Sequence, residues 1–127
     1  MYSTMQPLLE MARTFLAVAR TELEEGLTSN DYVKVRDATE KAWNAVAQAT
    51  DHAMRIHGSV PLPGRDARVA LRNFLEHIGR RDLSREYTYF AERLHGDLFY
   101  AGTPLPAATA RQFLDEVQEF IDKAATL

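Results

Sequence analysis

Apolar residues recur along this chain at steps of three and four, in five separate stretches. Over residues 4 to 25 the set Met5, Leu8, Leu9, Ala12, Phe15, Leu16, Ala19 and Leu23 forms one stripe, the spacing of an amphipathic helix with one face turned to a core. Gly26 predicts its stop. Ser29 and Asn30 offer side-chain oxygens to cap a second helix. Its stripe of Ala38, Ala42, Ala45, Ala49 and Ala53, joined by Val46 and Ile56, runs to about His57 before Gly58 ends it. Side chains that small bury little area, so their effect is to let a neighbouring backbone come close, while Trp43 fills the wider gap beside the stripe.

The segment SVPLPG, with Pro61 and Pro63, breaks the pattern. A third helix is predicted over about Asp66 to Ile78, with Ala67, Ala70, Leu71, Phe74, Leu75 and Ile78 facing inward and Gly79 closing it. Asp82 or Ser84 is expected to cap a fourth, whose apolar face is Tyr87, Phe90, Ala91, Leu94 and Leu98 and which ends near Gly102, where TPLP turns the chain. The last helix runs from about Ala107 to Ala125 and presents Ala110, Phe113, Leu114, Val117, Phe120, Ile121 and Ala124. No stretch alternates apolar and polar residues between turn signals, so no sheet is expected. Connections this short place sequential helices antiparallel. The fold class is therefore all-α, an antiparallel bundle of four to five helices forming one domain over residues 1–127.

Composition agrees with a packed domain and narrows its chemistry. Apolar residues make up 46% of the 127 positions and charged residues 26%, enough of each for a core and a solvated surface. The absence of cysteine excludes a disulfide framework, a thiolate metal site and a cysteine nucleophile. The first residues, MYSTMQPLLEMARTFL, carry Glu10 and Arg13 among their apolar positions instead of a basic segment followed by an uncharged one. That pattern predicts a cytoplasmic protein, and no apolar run reaches membrane-spanning length.

Net charge is −3, which argues against bulk DNA binding, but the charges are unevenly spread. Residues 1 to 51 sum to −3, residues 52 to 85 to +4, and residues 86 to 127 to −4. All cations of the middle third are arginines: Arg55, Arg65, Arg68, Arg72, Arg80, Arg81 and Arg85. Arginine suits bidentate phosphate contacts. It also supplies twelve of the fifteen cations in the chain, so the plain alternative is a solvated helix face.

The first two helices have a particular texture, ARTFLAVARTELEEGLTSNDYVKVRDATEKAWNAVAQAT: a glycine-bearing turn, a tyrosine opening the next helix, then Glu40, Lys41, Ala42 and Trp43. Further on, RLHGDLFYAG places Leu94 and His95 ahead of the aromatic pair Phe99 and Tyr100. These elements resemble the prokaryotic branch of the HEPN superfamily, and within it the small PaREP-type proteins. The resemblance spans nearly the whole chain and implies an antiparallel helical bundle that commonly pairs into homodimers.

Many HEPN proteins are metal-independent ribonucleases whose signature is an arginine followed by a histidine after four to six residues. One such string is present, RNFLEH, from Arg72 to His77, with Asn73 where the family favours a polar residue. Cleavage through the 2′-hydroxyl needs a group that moves a proton near neutral pH and a cation against the phosphate charge of the transition state, which His77 and Arg72 would supply. Two copies facing each other across a dimer axis would make one composite site. The string departs from the family's pattern by lying on the third helix instead of the fourth, and chance supplies about one such string in a chain of this composition.

Glu92 and His95 form a Glu-x-x-His pair of the kind that serves di-iron bundles. No second such pair exists, so His95 is expected to be a partly buried histidine bonded to a neighbour, and no metal or cofactor is expected. His52 and His57, five residues apart, point to different faces. Of the aromatic set Tyr87, Tyr89, Phe90, Phe99 and Tyr100, spacing assigns Tyr87, Phe90 and Phe99 to the core and leaves Tyr89 and Tyr100 as the members expected to be exposed.

The leading functional expectation is a non-catalytic helical module that dimerises and binds a nucleotide or a partner protein. Arg80, Arg81, Arg85, Tyr89, His95 and Tyr100 form its expected surface. The alternative is a metal-independent, toxin-like ribonuclease acting on RNA through Arg72, Asn73 and His77. Neither a membrane nor DNA is expected as a partner.

Overall fold

The computed structural model describes residues 6–58, 65–100 and 105–127, and every regular element among them is a helix. Helices α1 (Gln6–Ser29) and α2 (Tyr32–Ile56) are joined by Asn30 and Asp31. The joint shows why the chain turns there and not at Gly26. Asn30 adopts φ 54°, the left-handed conformation that asparagine tolerates better than most residues. The Asp31 N–H then donates back to the Gly26 carbonyl at 2.8 Å, closing α1 with a Schellman bond. Gly26 thus lies inside α1, and its role is close approach. A Cβ there would sit 2.9 Å from Val35 Cγ2 and 3.0 Å from the Asp31 carbonyl oxygen.

The expected cap of α2 is corrected by the same geometry. Asp31, not Ser29 or Asn30, is the N-cap, its carboxylate accepting from the N–H groups of Val33 at 3.1 Å and Lys34 at 3.2 Å. Ser29 remains in α1 and donates to the Glu25 carbonyl at 2.7 Å. Asp31→Ala leaves two helix-end donors without that acceptor. It is expected to lower the unfolding free energy by about 1 kcal/mol, read as a lower urea midpoint with the slope unchanged; an unmoved midpoint would show the cap to be dispensable.

Helix α3 (Arg65–His77) closes at Gly79, whose φ is 80°, and the Arg80 N–H donates to the Leu75 carbonyl at 2.8 Å. Helix α4 (Arg81–Phe90) follows. Its N-cap is Arg80, without a side-chain capping bond, so neither Asp82 nor Ser84 caps it. Asp82 lies in the first turn paired with Arg80 at 3.1 Å, and Ser84 is buried within the helix. From Ala91 the winding widens into a π-helix, π1 (Ala91–Tyr100), where a continued α-helix was expected. The looser i→i+5 winding suits apolar positions four apart, and Phe90, Leu94 and Leu98 are all buried. Helix α5 spans Ala107–Ala125, as its periodicity predicts. Met5, SVPLPG and Gly102 lie outside the described residues.

Ion pairs and hydrogen bonds show the relative directions of the rods. Glu25 pairs with Lys34 and Glu22 with Lys41, so α1 and α2 run antiparallel. Arg20–Asp115 at 2.9 Å and Glu24–Arg111 at 2.7 Å set α5 antiparallel to α1. Arg36 Nε donates to the Phe99 carbonyl at 2.9 Å and Glu40 meets His95 at 2.8 Å, which lays π1 antiparallel along α2. Helix α3 packs mainly on α4.

The alanine stripe of α2 is sealed: Ala38, Ala42, Ala45 and Ala49 are 0% exposed and Ala53 1%. Helix α1, the element packed most extensively against α2, adds Ala12 and Ala19, also 0% exposed. Trp43 is buried beside the stripe, with its ring 5.3 Å from that of Tyr87 and 5.7 Å from that of His95. It fills the gap between α2 and the α4–π1 arm, while Leu16, Leu23, Val46, Phe90, Phe120 and Ile121 complete the core. Among the described residues no helix is long and apolar enough to cross a membrane.

Candidate functional site

Helix α3 buries Leu71, Phe74 and Leu75, and a charged side flanks that face along the seam with α4. On that side Arg68, Arg72 and Glu76 stand four residues apart, one above the next on a helix surface. Across from them α4 and the start of π1 present Thr88, Glu92 and their neighbours. The result is a groove of two adjoining compartments. One, of about 270 Å³, is lined by Arg68, Arg72, Tyr87 and Ala91 among others. The second, of about 450 Å³, is lined by Asn73, Glu76, Ser84, Arg85 and Tyr89 among others. Arg72, Thr88 and Glu92 line both.

The charged groups of the groove differ in pairing from several arginines elsewhere on the surface. Arg20, Arg55, Arg80, Arg93 and Arg111 each hold a carboxylate. Arg68, Arg72 and Arg85 make no ion pair or side-chain hydrogen bond among the described residues, and neither do Glu76 and Glu92. Three guanidinium groups against two carboxylates leave the groove with one net positive charge and five charged groups whose hydrogen-bonding capacity is open.

Two tyrosines of α4 meet the groove differently. Tyr89 is 39% exposed; its ring stacks on Phe113 at 5.8 Å and leans on Phe90 at 5.5 Å. Partial burial, with the Glu116 carboxylate adding to it, pushes the Tyr89 hydroxyl upward. Tyr87 is 1% exposed. Burial pushes its hydroxyl up to about 12, against the opposing fields of Arg68 and Arg72, so it is a neutral donor throughout the physiological range.

Of the residues singled out by sequence, the structure brings Arg72, Asn73, Arg85 and Tyr89 together at this groove. His77 is exposed at the end of α3 and does not line it. Arg80 is occupied by Asp82, and Arg81 is exposed. The Tyr100 side chain lies outside the described residues. Arg68 was visible only as part of the arginine excess. Glu92 stands out in the sequence only through its Glu-x-x-His pair with His95, and Glu76 and Thr88 carry no motif of their own, although the four-residue step from Arg68 through Arg72 to Glu76 is legible there.

His95 belongs to a second cluster, on the opposite side of π1. Its Nδ1 lies 2.8 Å from Glu40 Oε2, and its ring lies between Trp43 and Phe99, with centroids at 5.7 and 6.4 Å. The expectation of a partly buried histidine bonded to a neighbour is met. Glu92 does not share this face: the wide winding of π1 sends it to the groove and His95 to α2, which separates the Glu-x-x-His pair. His52 is buried, whereas His57 is exposed and sets its ring edge-on to Phe74 at 5.5 Å. Among the described residues no group of three His, Asp or Glu is arranged to hold a metal ion.

No family model matches the chain, and neither the curated proteins nor the solved structures give a match.

Proposed function

We propose that this chain is a non-catalytic helical module of HEPN type that pairs with a second copy and binds a nucleotide in the groove between α3 and α4. The carrying observation is the charge left open there, since Arg68, Arg72 and Arg85 line one groove without a counter-ion of their own. Guanidinium groups recognise phosphate in bidentate fashion and remain charged at any working pH. Glu76 and Glu92 add acceptors for base amino groups or ribose hydroxyls, and Tyr89 adds exposed aromatic surface. A site for a bare anion has no use for those three. The pairing rests on the family resemblance and on Met11 and Val18, 44% and 39% exposed one heptad apart on α1.

Calorimetric titration with ribonucleotides tests the binding reading. Binding is expected to weaken as ionic strength rises, because the contacts are between partly solvated charges. Arg72 serves both compartments, so Arg72→Ala is expected to weaken binding by about tenfold or more with little change in melting temperature. Equal affinity in the variant and the parent would remove the groove as the site. The ribonuclease alternative requires His77 to reach a phosphate held by Arg72, and only Arg72 and Asn73 line the groove. RNA cleavage that survives a chelator and is lost in His77→Ala would establish that alternative over the binding reading.

A further inference from the structure

The larger compartment of the groove is lined by an acceptor and a donor that the smaller one lacks. Asn73 and Glu76 stand three residues apart on α3, and Arg85 and Tyr89 four apart on α4, so each pair shares one helix face. All four line the larger compartment and not the smaller. Elsewhere at α4 opposite charges meet directly, Arg80 with Asp82 at 3.1 Å and Lys123 with Glu86 at 3.0 Å. Glu76 and Arg85 line one compartment, yet form no ion pair with each other or with any other described residue. A carboxylate and a guanidinium are therefore both open to the same space.

The bases of the ribonucleotides differ in what they offer such a pair. Guanine presents two parallel donors, N1–H and the N2 amino group, and engages both oxygens of a carboxylate at once. Adenine and cytosine set their amino group beside a bare ring nitrogen, an acceptor that repels the second carboxylate oxygen, and the single N3–H of uracil lies between two carbonyls. Guanine also presents O6 and N7 as adjacent acceptors, to which an arginine donates in bidentate fashion. Both contacts are charge-assisted, the stronger kind of hydrogen bond. A carboxylate thus selects by attraction to guanine and by repulsion of the other bases. Asn73 alone would suit adenine, so the charged pair decides. Tyr89, exposed and with its ring stacked on Phe113, supplies a braced aromatic surface for a base to stack on. Arg68 and Arg72 line the adjoining compartment, where the phosphate of the same ligand meets its cations, and Glu92 borders both.

We infer that the groove selects guanine nucleotides, with Glu76 accepting from N1–H and the N2 amino group, Arg85 donating to O6 and N7, and Tyr89 stacking on the base. The inference rests on the nucleotide reading of the groove and adds which base is selected and which residues select it.

Calorimetric titration of the whole chain with the guanosine, inosine, adenosine, cytidine and uridine 5′-monophosphates tests it. The inosine compound keeps N1–H, O6 and N7 and lacks only the N2 amino group. Guanosine monophosphate is expected to bind about tenfold or more tighter than the adenosine, cytidine and uridine compounds, with inosine monophosphate between. Glu76 is exposed, so Glu76→Gln, which exchanges one acceptor oxygen for a donor, is expected to leave the melting temperature unchanged. It is expected to bring the guanosine and adenosine compounds within about threefold of each other. Arg85→Gln, also at an exposed position, is expected to weaken the guanosine and inosine compounds about tenfold and to leave the pyrimidine nucleotides as they were. Equal affinity of the parent for all the bases, with binding still weakened in Arg72→Ala, would overturn base selection and leave the groove as a nucleotide site. A guanine preference that persists in both Glu76→Gln and Arg85→Gln would overturn the roles given to these residues. No binding of any nucleotide by the parent chain would overturn the inference and the nucleotide reading together.

Discussion

Trp43→Ala is expected to lower the unfolding free energy by about 3–5 kcal/mol, the range for deleting a large buried aromatic. Against a typical domain stability of about 5–15 kcal/mol, this is enough to leave a large unfolded population at moderate temperature. Trp43 is 7% exposed and touches both the Tyr87 and His95 rings. It therefore links α2 to the α4–π1 arm, and an alanine would leave a cavity that the already small residues of α2 do not fill. Trp43→Phe keeps most of the apolar volume and is expected to recover more than half of the loss. Far-UV circular dichroism during urea denaturation reads both variants without relying on the lost fluorophore. Two midpoints displaced equally from the parent would show that the indole's size is not what joins the two halves.

The same residue connects the core to the groove. Tyr87 packs on Trp43 and lines the smaller compartment together with Arg68 and Arg72, so a cavity behind its ring loosens one wall of that compartment. If the groove binds a nucleotide as proposed, Trp43→Ala is expected to weaken that binding as well as stability, and Arg72→Ala to weaken binding alone. The pair of variants separates a ligand contact from the scaffold that aims it.

The helical stripes were legible because burial demands apolar side chains at three- and four-residue steps, and that demand is visible in any single helix. What was not legible depends on relations between helices or on competition between neighbouring residues. Ser29, Asn30 and Asp31 are all capping types. Asp31 takes the role because Asn30 adopts the left-handed conformation that ends α1, which places the next residue at the start of α2. The steps from Phe90 to Leu94 to Leu98 suit α- and π-winding alike, so the sequence pattern does not distinguish them, and the widening of π1 decides which way Glu92 and His95 face. At the groove, Arg72 and Asn73 drew notice through a local string. Arg68, Glu76 and Glu92 matter because α3 and α4 lie side by side, a fact held in no single window. The periodicity placed the Tyr87 ring in the core correctly and carried no information about its hydroxyl.

The alanine stripe predicts a second large effect, of opposite geometry. Ala45→Leu is expected to destabilise by about 1–3 kcal/mol or more through overpacking, although leucine is nearly as good a helix former as alanine. Ala45 is 0% exposed, and its neighbours on the same face, Ala42 and Ala49, are also 0% exposed. None of them has a flexible side chain that can swing aside. The added atoms must push a neighbouring backbone outward, and α1 is the element packed most extensively there. That displacement strains the tight turn near Gly26, where even a methyl group would lie 2.9 Å from Val35 Cγ2. Ala17→Leu on the exposed side of α1 is the control, expected to shift stability by less than about 0.5 kcal/mol. Thermal melts of the two variants would then differ by several degrees. Equal melting temperatures would mean that the stripe has room to spare, and that the small side chains of α2 are there for some reason other than the close approach of α1.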